Sequence, residues 1–168
     1  ISAHVKPVKW LFPIRRLTSC LGVAVLCGVY FVSIPVIAAE AEDEEIVTTV
    51  RMAISSGDLD GARSEIKQFV QLHGQTAAAL EALSWLARAE LGAGALNAAF
   101  EAARQTLKSA DILLKQRKLD AEPHLPMAVG AAYEVQSQVL DRRNQKSEAV
   151  LLLQTALRRC ANTSISPR

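Results

Sequence analysis

Thiols are scarce in this chain and badly spaced for chemistry. It holds three cysteines, and no two of them form a Cys-x-x-Cys pair. Thiol–disulfide exchange is therefore not expected of this chain by itself. Cys20 and Cys27 both lie inside one apolar run. That leaves Cys160 alone in the remainder, where pairing between chains competes with packing as a small residue near a helix end; packing is the simpler expectation. Aromatic residues are few, at 5% of the chain, while alanine and leucine dominate, which favours helix over sheet. No stretch alternates apolar and polar residues with period two, so no sheet is expected.

Catalytic groupings are missing as well. No Ser/His/Asp set, glycine-rich phosphate loop or paired-carboxylate motif stands out. His4, His73 and His124 fall in different segments without ligand spacing, so neither a metal site nor a cofactor site is expected, and no catalytic residue can be assigned. His73 beside Gly74 reads as a cation at a helix C-terminus followed by a glycine stop. Asp58 and Asp60 read as helix-capping residues.

Charge is unevenly placed. Before Ala39 there are four bases (Lys6, Lys9, Arg15, Arg16) and no acid. Taking those four from the 19 Lys and Arg leaves 15 against 17 Asp and Glu, a net of −2 from Glu40 onward. Such a mixed surface argues against a nucleic-acid partner, which needs a basic face to displace counterions from phosphate. The bases precede a run without charge, Leu17 to Ala39, and the acidic stretch Glu40 to Glu45 follows it. As a helix that run would rise roughly 34 Å, enough to cross a hydrocarbon core of about 30 Å. Four bases on its leading side hold the N-terminus in the cytoplasm, so everything after Glu40 is expected to be exported to the periplasm. Pro35 should break the helix, and Val36-Ile37-Ala38-Ala39 supplies the small residues of a cleavage site. Residues 1–39 therefore read either as a cleaved signal peptide or as a retained anchor in the inner membrane. Leu17-Thr18-Ser19-Cys20 has the residue types of a lipoprotein box. It lies between Arg15-Arg16 and the apolar core, so lipidation is not expected.

Residues 40–168 read as one all-α domain of about six helices: 44–55, 58–72, 76–91, 95–118, 126–143 and 147–161. In the fourth, Leu96, Ala99, Ala103, Leu107, Ala110 and Leu114 recur at steps of three and four, a single stripe of helical period. The helices form three hairpins that resemble one another. Gly57, Gly94 and Asn144 turn the chain, and Ala62, Ala99 and Ala149 follow each by five residues. Nine residues past the turns stand Ile66, Ala103 and Leu153; twelve past stand Phe69, Thr106 and Ala156. This pattern resembles a degenerate tetratricopeptide repeat, with spacings of 37 and 50 residues in place of about 34. The expected architecture is a short stack of antiparallel helical hairpins, preceded by one hydrophobic signal or anchor helix. A plain antiparallel bundle is the alternative.

The stretch Leu119 to Glu134 interrupts the helical pattern. Pro123 pushes the residue before it out of helical geometry. Pro126 suits the first turn of a helix, where its missing N–H costs nothing. His124, between them, reads as a loop residue.

Ala121-Glu122-Pro123-His124-Leu125-Pro126, Gly130-Ala131-Ala132 and Glu134-Val135-Gln136, with Glu148-Ala149-Val150 and Leu153 leading to Thr163-Ser164-Ile165, resemble the tetratricopeptide-like helical N-terminal region of exported thioredoxin-like bacterial proteins of the TlpA/ResA type. In that family a thioredoxin domain with Cys-x-x-Cys follows the helices; here the chain ends at Arg168. Its first residue is Ile, so a fragment of a longer parent or a wrongly started reading frame is expected. The resemblance implies no catalytic residue in this chain. Three functions follow: a non-catalytic helical module binding a protein or peptide partner, the accessory part of a thiol–disulfide oxidoreductase, or a self-associating bundle.

Overall fold

The computed structural model describes residues 34–161, and the side chains from Ala41 onward. All of the described secondary structure is helical. Six α-helices follow in order: α1 (Ile34–Ser55), α2 (Leu59–His73), α3 (Ala77–Gly92), α4 (Leu96–Leu113), α5 (His124–Arg142) and α6 (Lys146–Arg159), with a 3₁₀ turn at Leu119–Ala121 between α4 and α5.

Local chemistry fixes most of these boundaries. Asp58 Oδ1 accepts the Gly61 N–H at 2.7 Å and opens α2, while Thr76 Oγ1 accepts the Ala79 N–H at 3.2 Å and opens α3. Such caps satisfy donors that have no partner inside the helix. The three hairpin turns share one backbone geometry. Gly57, Gly94 and Asn144 adopt φ of 84°, 79° and 61°. The residue after each donates back across the turn: Asp58 to the Ala53 carbonyl, Ala95 to that of Glu90, and Gln145 to that of Leu140, each at 2.9 Å. This six-to-one bond, closed by a left-handed residue, is the Schellman stop. Ala62, Ala99 and Ala149 are all buried. A Cβ added at Gly94 would meet no atom within 4 Å, so Gly94→Ala should cost only the left-handed backbone penalty, about 1–2 kcal/mol. Urea unfolding of the pair of proteins measures it.

Alanines make the packing close. They supply half of the buried apolar residues, so helix axes can approach at the short end of the usual range of about 8–10 Å. α3 packs on α1, α2, α4 and α5, while α5 packs on α3, α4 and α6. Each later hairpin thus enters through its first helix, which lies against both helices of the hairpin before it. α6 packs chiefly on α5 and reaches α4 through the Arg159–Asp111 ion pair, whereas α2 and α4 stand apart. Ile66 of α2 is buried in one core cluster with Ala78 and Ala82 of α3, and Ala103 of α4 in another with Ala132, Val135 and Val139 of α5.

Four details differ from the sequence reading. α1 already runs through Ile34–Ser55 among the described residues, so helix is present ten residues before the expected Glu44 and includes Pro35. α4 stops at Leu113, not Lys118, because the chain turns so that Leu119 returns to the core beside Leu113, Leu114 and Leu125. α5 starts at His124, with Pro123 at its cap, and His124 is therefore a helical residue. Leu153 is 44% exposed, although its counterparts Ile66 and Ala103 are buried. Glu122 is extended (φ −155°, ψ 156°), as a residue before proline prefers to be. Among the described residues no helix is long and apolar enough to cross a membrane. Residues 17–33 of the expected signal or anchor, with Cys20, Cys27 and His4, lie outside the described residues.

Candidate functional site

Side by side, α1, α3 and α5 each contribute one row of side chains to a common face. On α1 the row is Glu44, Thr48 and Arg51; on α3 it is Glu81, Trp85 and Arg88; on α5 it is His124, Met127 and Glu134. Steps of three, four and seven keep each row on one side of its helix.

Glu81 is the hub of this face. Its side chain is 13% exposed, and that of His124 is 17% exposed. Glu81 Oε2 lies 2.8 Å from His124 Nδ1, while Oε1 accepts the Trp85 indole N–H at 3.2 Å. A carboxylate accepts, so Nδ1 of His124 donates in this contact. Nε2 is 3.9 Å from Glu44 Oε2 on α1. His124, the first residue of α5, thus meets the middle of α1 at Glu44 and the second turn of α3 at Glu81. No hydroxyl or thiol of the described residues hydrogen-bonds to Nε2. A cavity of about 450 Å³ opens beside it, lined by Glu44, Val47, Thr48, Arg51, Glu81, Pro123, His124 and Met127.

Trp85 lies between two cations. The Arg51 guanidinium is 4.8 Å from a ring centroid and that of Arg88 is 5.3 Å away, within the range of a cation–π contact. The two differ in their other partners. Arg88 is held by Glu134 Oε2 through Nε and Nη2 at 3.1 and 2.5 Å. Arg51 is exposed and has no carboxylate partner among the described residues. The face therefore offers an open guanidinium on an aromatic floor, with acidic groups at its His124 end. An extended chain carrying a carboxylate beside an apolar side chain fits these groups.

A second concavity, about 640 Å³, lies where α2 and α4 stand apart over α3, lined among others by Arg63, Glu90, Arg104 and Lys108. The Glu90 side chain is 4% exposed. Its Oε1 accepts from Arg63 Nη2, and Oε2 has no hydrogen-bond partner. The bond to Glu90 holds the Arg63 guanidinium pKa above its ordinary value.

The remaining residues singled out in the sequence fall elsewhere. His73 ends α2, stacks on Phe69 at 4.5 Å between centroids, and lies 3.3 Å from Glu42. Asp60 pairs with Arg63. Cys160 is buried in the core with Tyr133 and Ala156, and burial pushes its thiol pKa up. No group of three or more His, Cys, Asp or Glu side chains among the described residues is placed to hold a metal ion. No pairwise pattern marks the Glu81–His124 contact, whose members are 43 residues apart. The only local hint was the row Glu81, Trp85, Arg88 on one side of α3.

No family model, no curated protein and no solved structure matches this chain.

Proposed function

We propose that the chain is a non-catalytic, tetratricopeptide-like interaction module whose α1/α3/α5 face takes up an extended segment of a protein partner. The observation that carries this reading is Trp85, capped by Arg51 on its open side and held by Glu81 below. In stacked helical hairpins the first helices line a common surface, and a partner segment can lie along it. Arg51 pairs with a carboxylate of the segment, while Trp85 and Met127 take its apolar side chain. The charge step at Glu40 supports a location outside the cytoplasm, with residues 17–39 as a cleaved signal or an inner-membrane anchor. The same docking role holds if the chain leads into a thioredoxin-like domain, as the Ala121–Pro126 stretch suggests by resemblance.

Selection of random twelve-residue peptides displayed on phage against the full chain tests this. Enriched peptides should carry Asp or Glu next to a large apolar residue. Arg51→Glu should weaken them by at least about tenfold, the 1.4 kcal/mol equivalent of one lost charge-assisted contact. Ser64→Glu, on the exposed side of α2, should leave them unchanged. Enrichment of nothing, or binding indifferent to both Arg51→Glu and Trp85→Ala, would overturn the proposal.

A further inference from the structure

The two ends of the helical stack are unlike. At the α1/α2 end the exposed residues are chiefly Glu, Thr, Arg, Lys, Gln and Ser, with Met52 and Leu72 as isolated apolar residues. At the other end α6 exposes Val150, Leu151, Leu153 and Leu157 at 55%, 59%, 44% and 50%. Half of the exposed large apolar side chains among the described residues are on this one helix. A terminal hairpin normally presents a polar outer side to water.

α6 carries two apolar stripes. Ala149, Leu152, Ala156 and Cys160 face α5 and the core. Val150, Leu153 and Leu157 form the second, at the three- and four-residue steps of a helix-pairing seam. This second stripe borders a groove between α5 and α6. One stretch of it, about 460 Å³, runs past Ser137, Asp141 and Val150 to Leu153; the next, about 360 Å³, runs from Leu153 past Tyr133 and Leu157 to Cys160. The fold contains two filled versions of this groove. α3 lies in the one between α1 and α2, and α5 in the one between α3 and α4. Ile66 and Ala103, buried by those incoming helices, correspond to Leu153, which no described helix covers.

We infer that α6 of a second copy fills the groove, so that the protein forms a two-fold dimer through its α5/α6 ends. A filling helix needs an exposed apolar stripe, and among the described residues only α6 supplies one. A two-fold contact lets one surface act as both groove and filler. Charge fits the antiparallel arrangement. With the two-fold axis near Leu153 and Gln154, Val150 meets Leu157 of the second copy, and Arg158 comes to the level of the second copy's Asp141. Neither Asp141 nor Arg158 has an ion-pair partner within the described chain; Arg158 only donates to Thr155 at 3.2 Å. The antiparallel dimer forms this pair twice. A head-to-tail chain of copies would instead set the apolar end against the polar α1/α2 end, so growth stops at two.

Sedimentation equilibrium of the full chain in mild detergent, together with oxidative cross-linking after Cys20, Cys27 and Cys160 are replaced by Ala, tests the inference. The wild-type protein should have the mass of two chains, and Leu157→Glu should reduce it to one while keeping its helical circular dichroism. Gln154→Cys, near the axis, should cross-link to itself. Val150→Cys should not, since its copies lie roughly 10 Å apart along the helix axes. A monomer at all concentrations, a dimer that survives Leu157→Glu (association through residues 17–39), or cross-linking through Ser64→Cys on α2 would each overturn it. Equal cross-linking at positions 150 and 154 would overturn the antiparallel arrangement. Peptide binding at the Trp85 face should be the same in wild type and Leu157→Glu, so the two proposals fail separately.

Discussion

Leu86→Ala is expected to lower the unfolding free energy by about 2–5 kcal/mol, the usual cost of a cavity at a fully buried leucine. Leu86 is 1% exposed and lies in the cluster that joins α3 to Val50 of α1 and to Ala62 and Ile66 of α2. Its neighbours are mostly alanines and valines on rigid helices, which cannot move in to fill the space. The cost should therefore fall in the upper part of that range. Urea unfolding followed by circular dichroism measures it, and the slope against denaturant should stay unchanged. Leu72→Ala, at a side chain 71% exposed, should change stability by less than about 0.5 kcal/mol. A loss under about 1 kcal/mol at Leu86 would mean that α1 and α2 do not close over α3.

The second large effect is expected at Arg63. Arg63→Met removes the only hydrogen-bond partner of the Glu90 carboxylate among the described residues. A buried charge stripped of its partner costs about 3–5 kcal/mol. Arg63 is half exposed, so water reaches its side of the pair, and the low end, about 3 kcal/mol, is expected. Adding Glu90→Leu should recover most of that loss, because the charge left behind is then gone. A double-mutant cycle by urea unfolding gives the coupling directly. If Arg63→Met is neutral while Glu90→Leu is destabilising, the carboxylate is not held by Arg63.

Much of this fold could be read from single elements. Asp58 and Thr76 announce helix starts because their short side chains can accept from an N–H three residues on. Gly57, Gly94 and Asn144 announce turns because few other residues tolerate positive φ, and a buried alanine five residues later marks where the helices approach. Each of these signals lies within one turn of chain. What could not be read depends on contacts between distant segments. Glu81 meets His124 across 43 residues, Arg88 meets Glu134 across 46, and Arg63 meets Glu90 across 27. No helical period reveals such pairs. Two flanking prolines make His124 look like a loop residue, yet proline is well tolerated in a first helical turn, and α5 begins there. The apolar stripe of α4 continues to Leu114 and points to a longer helix, whereas burial of Leu119 bends the chain after Leu113. The apolar residues of α6 were visible, but periodicity cannot show that no described helix covers one of its two stripes.

The central claim is that α1, α3 and α5 share one face built around Trp85. Nuclear Overhauser contacts of the Trp85 indole in the isotope-labelled protein test it most directly. The account requires contacts from the ring to the Arg51 side chain on α1 and to the Arg88 side chain on α3, together with a slowly exchanging indole N–H held by Glu81. An indole that contacts neither arginine, or one packed against α2 or α6 side chains, would contradict it.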